Sequence, residues 1–197
     1  SQRHNQAQTS LSVSSHLSSR LVISICGLFS MAHLKRRKEI HKTKVMPVSD
    51  HATQRRIINA NPQQCFDVVT DFERYPEWVS DVKSATIIER DETGRGGDVT
   101  FRAAAMGRST TYTLRYYYGS NPLRVAWRQT EGDITRKIEG EYEFVPIDGG
   151  TKTEVAYHLA ADLAILIPGF VKRRAESRIV RAALEDLSSR VETVFAS

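Results

Sequence analysis

From Val82 onward apolar and polar residues alternate with a period of two, as in strands that bury one face. Turn signals at residues 91–97, 106–107, 119–122, 131–133 and 148–150 divide this stretch into six successive strands, each close enough to the next to form a hairpin. The alternation puts Val99, Phe101, Ala103 and Ala105 on one face, then Tyr112, Leu114, Tyr116 and Tyr118, then Val125 and Trp127. Ile138, Gly140, Tyr142 and Phe144 alternate with Glu139, Glu141 and Glu143, which turns the apolar set inward and the acids outward. Val155, Tyr157 and Leu159 complete the inner wall. A meander of this length has to curl to bury that face.

The flanking segments change period. Residues 56–60 read as a short first strand, ended by Asn61-Pro62. Asn at the N-cap, Pro at the first helical position and Gln64 at the capping-box position predict an immediate helix. Cys65, Phe66, Val69 and Phe72 give it an apolar side, with Asp67 and Asp71 solvated opposite. The Tyr75-Pro76 pair predicts a break, because the residue before proline is pushed out of the α region, and a second short helix then carries Trp78. After Pro168-Gly169 a long helix runs to the end, with Val180, Ala183, Leu184, Leu187, Val191 and Val194 on one side and Arg174, Arg178, Arg181 and Glu185 on the other. The expectation is an α+β domain over residues 53–197, a curved antiparallel sheet of about seven strands with two short helices after the first, the last helix covering a cavity.

Charge separates residues 1–52 from this domain. The formal +5 sits at the start, where residues 1–45 hold eight Lys or Arg against one acid, Glu39. The remaining 152 residues carry twenty basic and twenty-two acidic side chains, too balanced for nucleic-acid binding through counterion release. A nucleic-acid or ribosomal partner is therefore disfavoured for the domain. The apolar run 21–29 falls well short of the ~20 residues a spanning helix needs, and Lys35-Arg36-Arg37-Lys38 follows it, the wrong order for a secretory signal. An Arg- and Ser-rich, acid-poor start also suits an organelle transit peptide. Otherwise residues 1–52 are expected to be a disordered basic tail, or to precede a true start at Met31 or Met46. With one cysteine, Cys65, the domain has no internal disulfide, which fits a reducing, cytoplasmic setting. On the apolar helix face, Cys65 is expected to be a small buried hydrophobe.

Asn61-Pro62 with Phe66 and Val69, the run Asp71-Phe72-Glu73-Arg74-Tyr75-Pro76-Glu77-Trp78-Val79, Leu159-Ala160-Ala161-Asp162-Leu163 and Lys172-Arg173-Arg174-Ala175-Glu176 together resemble the START-like (SRPBCC) superfamily, and within it the polyketide cyclase/dehydrase and coenzyme-Q-binding group of small bacterial proteins. The resemblance spans nearly all of residues 53–195 and implies the helix-grip fold. Members include hydrophobic-ligand carriers, aromatase/cyclases, quinone-binding proteins and ribosome-associated factors, so it marks architecture more than chemistry.

The candidate ligand cavity is lined by Phe101, Ala103, Tyr112, Leu114, Trp127, Ile138, Tyr142, Tyr157 and Leu159, aromatic walls with phenols to orient a planar apolar molecule such as a lipid, quinone or polyketide. The same side chains would also serve as solid core, although Ala103, Ala105 and Gly140 leave volume unfilled. For cyclase or dehydratase chemistry, Arg136 and Tyr112 offer carbonyl polarisation, but no paired acid and base emerges, since His158 and the three glutamates face outward. No catalytic residue is assigned, and no cofactor or metal is implied. Lys172, Arg173 and Arg174 open the last helix, where the macrodipole disfavours cations. They are candidates for contact with an anionic membrane, beside Ile165-Leu166-Ile167, with a ligand head group or with ribosomal RNA, the protein then being a membrane- or ribosome-associated factor, or for local pairing with Glu176.

Overall fold

The computed structural model describes residues 52–105, 108–163 and 168–195. The basic tail, His51, the 106–107 turn and Ile165-Leu166-Ile167 lie outside them, as does the side chain of Ala105. The six hairpin-linked strands form as the alternation requires: β2 (Val82–Arg90), β3 (Gly96–Ala105), β4 (Arg108–Ser120), β5 (Leu123–Gly132), β6 (Thr135–Ile147) and β7 (Lys152–Leu163). The first strand, β1 (Ala52–Ile58), starts and ends earlier than residues 56–60. It pairs with β7, giving one antiparallel sheet in the order β1-β7-β6-β5-β4-β3-β2. Its expected last residues, Asn59 and Ala60, leave the ladder. Ala60 offers its carbonyl instead to the buried Thr153 hydroxyl at 2.7 Å. Breaks in register along β2–β3, β4–β5 and β6–β7 bend the strands and help the sheet curve.

Helix α1 (Pro62–Thr70) begins with the expected capping box: Asn61 Oδ1 accepts from Gln64 N at 2.9 Å, and Gln64 Oε1 accepts from Asn61 N at 3.0 Å. A 3-10 turn (Phe72–Arg74) and α2 (Tyr75–Trp78) follow. The expected break at Tyr75 does not occur. Tyr75 is helical (φ −52°, ψ −38°), and the change of direction falls at Asp71 (φ −81°, ψ 69°). The tertiary anchor of Tyr75 outweighs the local proline effect: its hydroxyl donates to Val69 O at 2.8 Å and its ring packs on Phe72, Trp78 and Phe101.

The last helix, α3 (Gly169–Phe195), buries Val180, Leu184, Leu187 and Val191 as expected, together with Glu176 and Ser188. Val194, expected on this side, is 48% exposed, and Phe195 is exposed too, so the final turn outruns the described surface beneath it. The helix packs against β1, β7 and α1. Glu176 is 3% exposed and accepts from Ala161 N at 3.0 Å. That amide lies beyond the end of β1, whose last partner on β7 is Leu159, so the Glu176 carboxylate stands where a neighbouring strand would. At the other end Arg190 donates to Glu77 at 2.6 Å and ties α3 to α2. Among the described residues no helix is long and apolar enough to cross a membrane.

Two substitutions test this packing. Glu176→Ala strands the Ala161 amide and should cost about 1–3 kcal/mol in urea denaturation, whereas Glu176→Gln, which keeps an acceptor, should cost less. A Cβ on Gly140 would stand 2.5 Å from Trp127 Cζ2 and 2.6 Å from the His158 carbonyl. Gly140→Ala should therefore destabilise by about 1–3 kcal/mol and alter near-ultraviolet circular dichroism from the displaced indole; unchanged values would show that the ring has room to move.

Candidate ligand-binding site

Strand register decides which side chains share the inner face. Phe101 pairs with Tyr112, Val99 with Leu114, Tyr116 with Trp127, Tyr142 with Tyr157 and Gly140 with Leu159. All nine residues expected at the cavity thus fall on one side of the sheet. Phe101, Ala103, Leu114, Trp127, Tyr142, Tyr157 and Leu159 are buried, and Tyr112 and Ile138 are partly so. Their rings form a continuous wall. Phe101 stacks on Tyr112 with centroids 5.6 Å apart, Tyr142 stacks on Tyr157 at 4.3 Å, and Trp127 sits between Tyr116, Tyr142 and Tyr157. Gly140 leaves no free volume, contrary to the expectation, because the Trp127 indole already occupies the position of its missing side chain. A glycine beneath a large ring reads as space in the sequence and as packing in the structure.

The cover over this face is uneven. Helix α1 lies over β5, β6 and β7, the 3-10 turn and α2 lie over β2, and α3 lies over β1 and β7. The phenols divide accordingly. Tyr75 donates to Val69 O, and Tyr118 to Gly96 O at 2.5 Å. The hydroxyls of Tyr112, Tyr116, Tyr142 and Tyr157 make no hydrogen bond to the described residues. Burial raises the pKa of all four, to about 12 for Tyr112, so each stays protonated and able both to donate and to accept. Burial likewise pushes the Cys65 thiol up to about 11, which makes it the inert hydrophobe expected.

Two carboxylates join the inner face unannounced by the sequence pattern. Asp186, on the flank of α3 with Ile179, Ala183 and Arg190, is close enough to Tyr142 to raise its pKa further. Desolvation, then the neighbouring charges of Glu185 and Asp81, raise Asp186 itself to about 6. Asp81 lies between α2 and β2. Its Oδ2 is buried without a partner, its pKa is raised by burial, and its charge reaches Tyr112. Helix α3 thus brings Asp186 within reach of the Asp81 charge across 105 residues of sequence. The one available signal was that the positions 179, 183, 186 and 190 form a second stripe beside the apolar one.

Other expected roles fall elsewhere. His158 faces away and shares a 2.8 Å hydrogen bond with Thr53, and Glu139, Glu141 and Glu143 lie half-exposed on the outer face. Arg136 is exposed, off the inner wall. Lys172 turns back onto the domain, 2.7 Å from Asp162 and 3.9 Å from Glu176, while Arg173 and Arg174 are exposed. The three consecutive cations point in different directions around the helix.

The sequence matches the polyketide cyclase/dehydrase and lipid transport family over residues 49–192. No protein of curated function matches it. Among solved structures, a START superfamily protein from Mycobacterium smegmatis superposes with a TM-score of 0.68 at 23% identity, covering 73% of this chain and 98% of the other. A protein from Thermus thermophilus gives 0.62 at 24%, covering 74% and 99%. The Zhui aromatase/cyclase from a Streptomyces species gives 0.61 at 18%, covering 72% and 93%. At these identities the structures speak for the fold alone. The family match extends from the residues before β1 almost to the end of α3, and the chain belongs to the polyketide cyclase/dehydrase and lipid transport family, on a START-like fold.

Proposed function

We propose that the protein binds a hydrophobic small molecule, a lipid, an isoprenoid quinone or a polyketide-like aromatic, between the inner face of the sheet and α3. One observation carries this reading: four phenols on a buried aromatic wall lack protein hydrogen-bond partners. None of the four hydroxyl oxygens is fully buried, so they open on accessible space beside the wall, where a ligand or ordered water can complete them. Flat rings give a planar molecule contact area, and the phenols fix its orientation. The family's association with lipid transport supports the same reading.

A second reading, cyclisation or dehydration of a polyketide, is favoured by Asp186 alone. A carboxyl group titrating near 6 beside a phenol suits proton transfer at neutral pH. Under that reading Asp186→Asn abolishes turnover while Nile red still binds.

Binding is tested through the two tryptophans, Trp78 and Trp127. In Trp78→Phe, the emission of Trp127 reports on the inner wall. Neutral, uncharged Nile red and a short-chain ubiquinone should quench or shift that emission saturably. At a hundredfold excess over the dissociation constant they should raise the melting temperature by an amount corresponding to about 2.7 kcal/mol. If neither probe changes emission or melting at its solubility limit, the wall is plain core and the binding reading is lost.

A further inference from the structure

The inner face is not chemically uniform, and its polar end is rich in acceptors. Tyr112 pairs with Gly132 across β4 and β5, so the two share that face. A Cβ on Gly132 would stand 2.2 Å from the Gln129 amide and 2.7 Å from Thr135 Oγ1, which places both side chains beside Tyr112. Gln129 Nε2 donates to the Thr135 carbonyl at 3.0 Å. This orients the amide and leaves Oε1 as a buried acceptor without a partner; Thr135 Oγ1 and Asp81 Oδ2 are the other two such atoms among the described residues. Asp81 reaches Tyr112 from the α2–β2 junction, and Asp186 reaches Tyr142 from α3. Tyr142 is 6% exposed, and its hydroxyl makes no hydrogen bond to the described residues. Buried acceptors without partners, beside carboxylates and that hydroxyl, point to a ligand and set its chemistry.

Resting on the binding reading, we propose that Asp81, Asp186, Gln129 and Thr135, with Tyr112 and Tyr142, form a polar subsite that selects planar ligands bearing neutral hydroxyl donors and rejects ligands that carry a carboxylate. Hydroxyl donors on the ligand satisfy the acceptors, and its ring carbonyls accept from the phenols. An anionic head group would meet two aspartates. The nearby cations do not offset them: Arg190 is held by Glu77, and Lys83, beside Asp81, is exposed. Hydroxylated aromatic polyketides and hydroxyquinones have the required pattern; free fatty acids do not.

Three probes on one ring system separate the possibilities: 2-(hydroxymethyl)anthraquinone, its methyl ether and anthraquinone-2-carboxylate, titrated against the Trp127 signal at pH 8 alongside Nile red. The hydroxymethyl compound should bind at least tenfold tighter than the ether, and the carboxylate at least tenfold more weakly than the ether. In Asp81→Ala/Asp186→Ala the first preference should shrink and the carboxylate should gain at least tenfold. If Nile red binds while the three anthraquinones bind alike, or the double variant leaves their order unchanged, the selectivity is overturned and hydrophobic binding survives. If Nile red and all three fail to bind, both readings fall.

A second measurement guards against misfolding of the variant. Asp186 is raised above the ordinary 3.8 in the native state, so its contribution to stability is full below pH 4 and is lost as pH rises through about 6. The charges around it are Glu185 on α3, Asp81 and Lys83 on the facing junction and the Glu77–Arg190 pair at α2, with the phenol of Tyr142 beside them. Asp186→Asn should raise the melting temperature at pH 8 and leave it unchanged at pH 4. An equal effect at both would show that Asp186 is solvated and outside the subsite.

Discussion

A seven-stranded sheet spans about 29 Å across its strands at ~4.8 Å per spacing, whereas a helix with its side chains is about 10–12 Å wide. One long helix cannot cover such a face. In this protein α3 lies along the β1–β7 side, α1 covers β5 to β7, and the 3-10 turn and α2 cover β2, leaving β3 and β4 to be closed by side chains of the strands. The inner positions of those strands are accordingly large aromatics, which project far enough to meet one another: Trp127 touches Tyr116, Tyr142 and Tyr157, and Phe101 stacks on Tyr112. The mismatch between sheet and helix widths is the constraint from which the aromatic wall and the proposed site both follow.

The position of α3 matters more than its area. Glu176 substitutes for a strand at the exposed part of β7, and Arg190 grips Glu77 fourteen residues later, so both halves of the helix are held by charge-assisted contacts. Between these anchors the apolar stripe of Val180, Leu184 and Leu187 faces the core, which turns the neighbouring flank, with Ile179, Ala183 and Asp186, toward the inner face. The same contacts that fasten the helix therefore set where Asp186 sits. Lys172 serves this anchorage by neutralising Asp162 and approaching Glu176.

The polar groups of the inner face differ in how burial acts on them. A buried phenol remains neutral, so desolvation leaves Tyr116, Tyr142 and Tyr157 as working donors. A buried carboxylate resists ionisation, and the charge of Asp81 disfavours that of Asp186 as well. Natural cores seldom keep buried polar atoms without partners, as Asp81 Oδ2, Gln129 Oε1 and Thr135 Oγ1 are here, because each one costs stability. Their gathering beside the inner face is what the proposed polar subsite would account for.

By itself the sequence determined the local structure and the sidedness of the strands. Period-two alternation assigned the inner face of β3 to β7, the glutamates of β6 marked its outside, and Asn61-Pro62 with Gln64 placed the start of α1 to the residue. These are properties of neighbouring residues, which backbone geometry converts directly into direction. Only the tertiary structure decided what depends on distant contacts. Tyr75 stays helical before a proline because its hydroxyl reaches Val69 and its ring reaches Phe101, and Gly140 is filled by Trp127 from the next strand. Asp186 comes within reach of the Asp81 charge because Glu176 and Arg190 hold α3 over the sheet. No local pattern carries that placement, since it follows from the meeting of two surfaces more than a hundred residues apart.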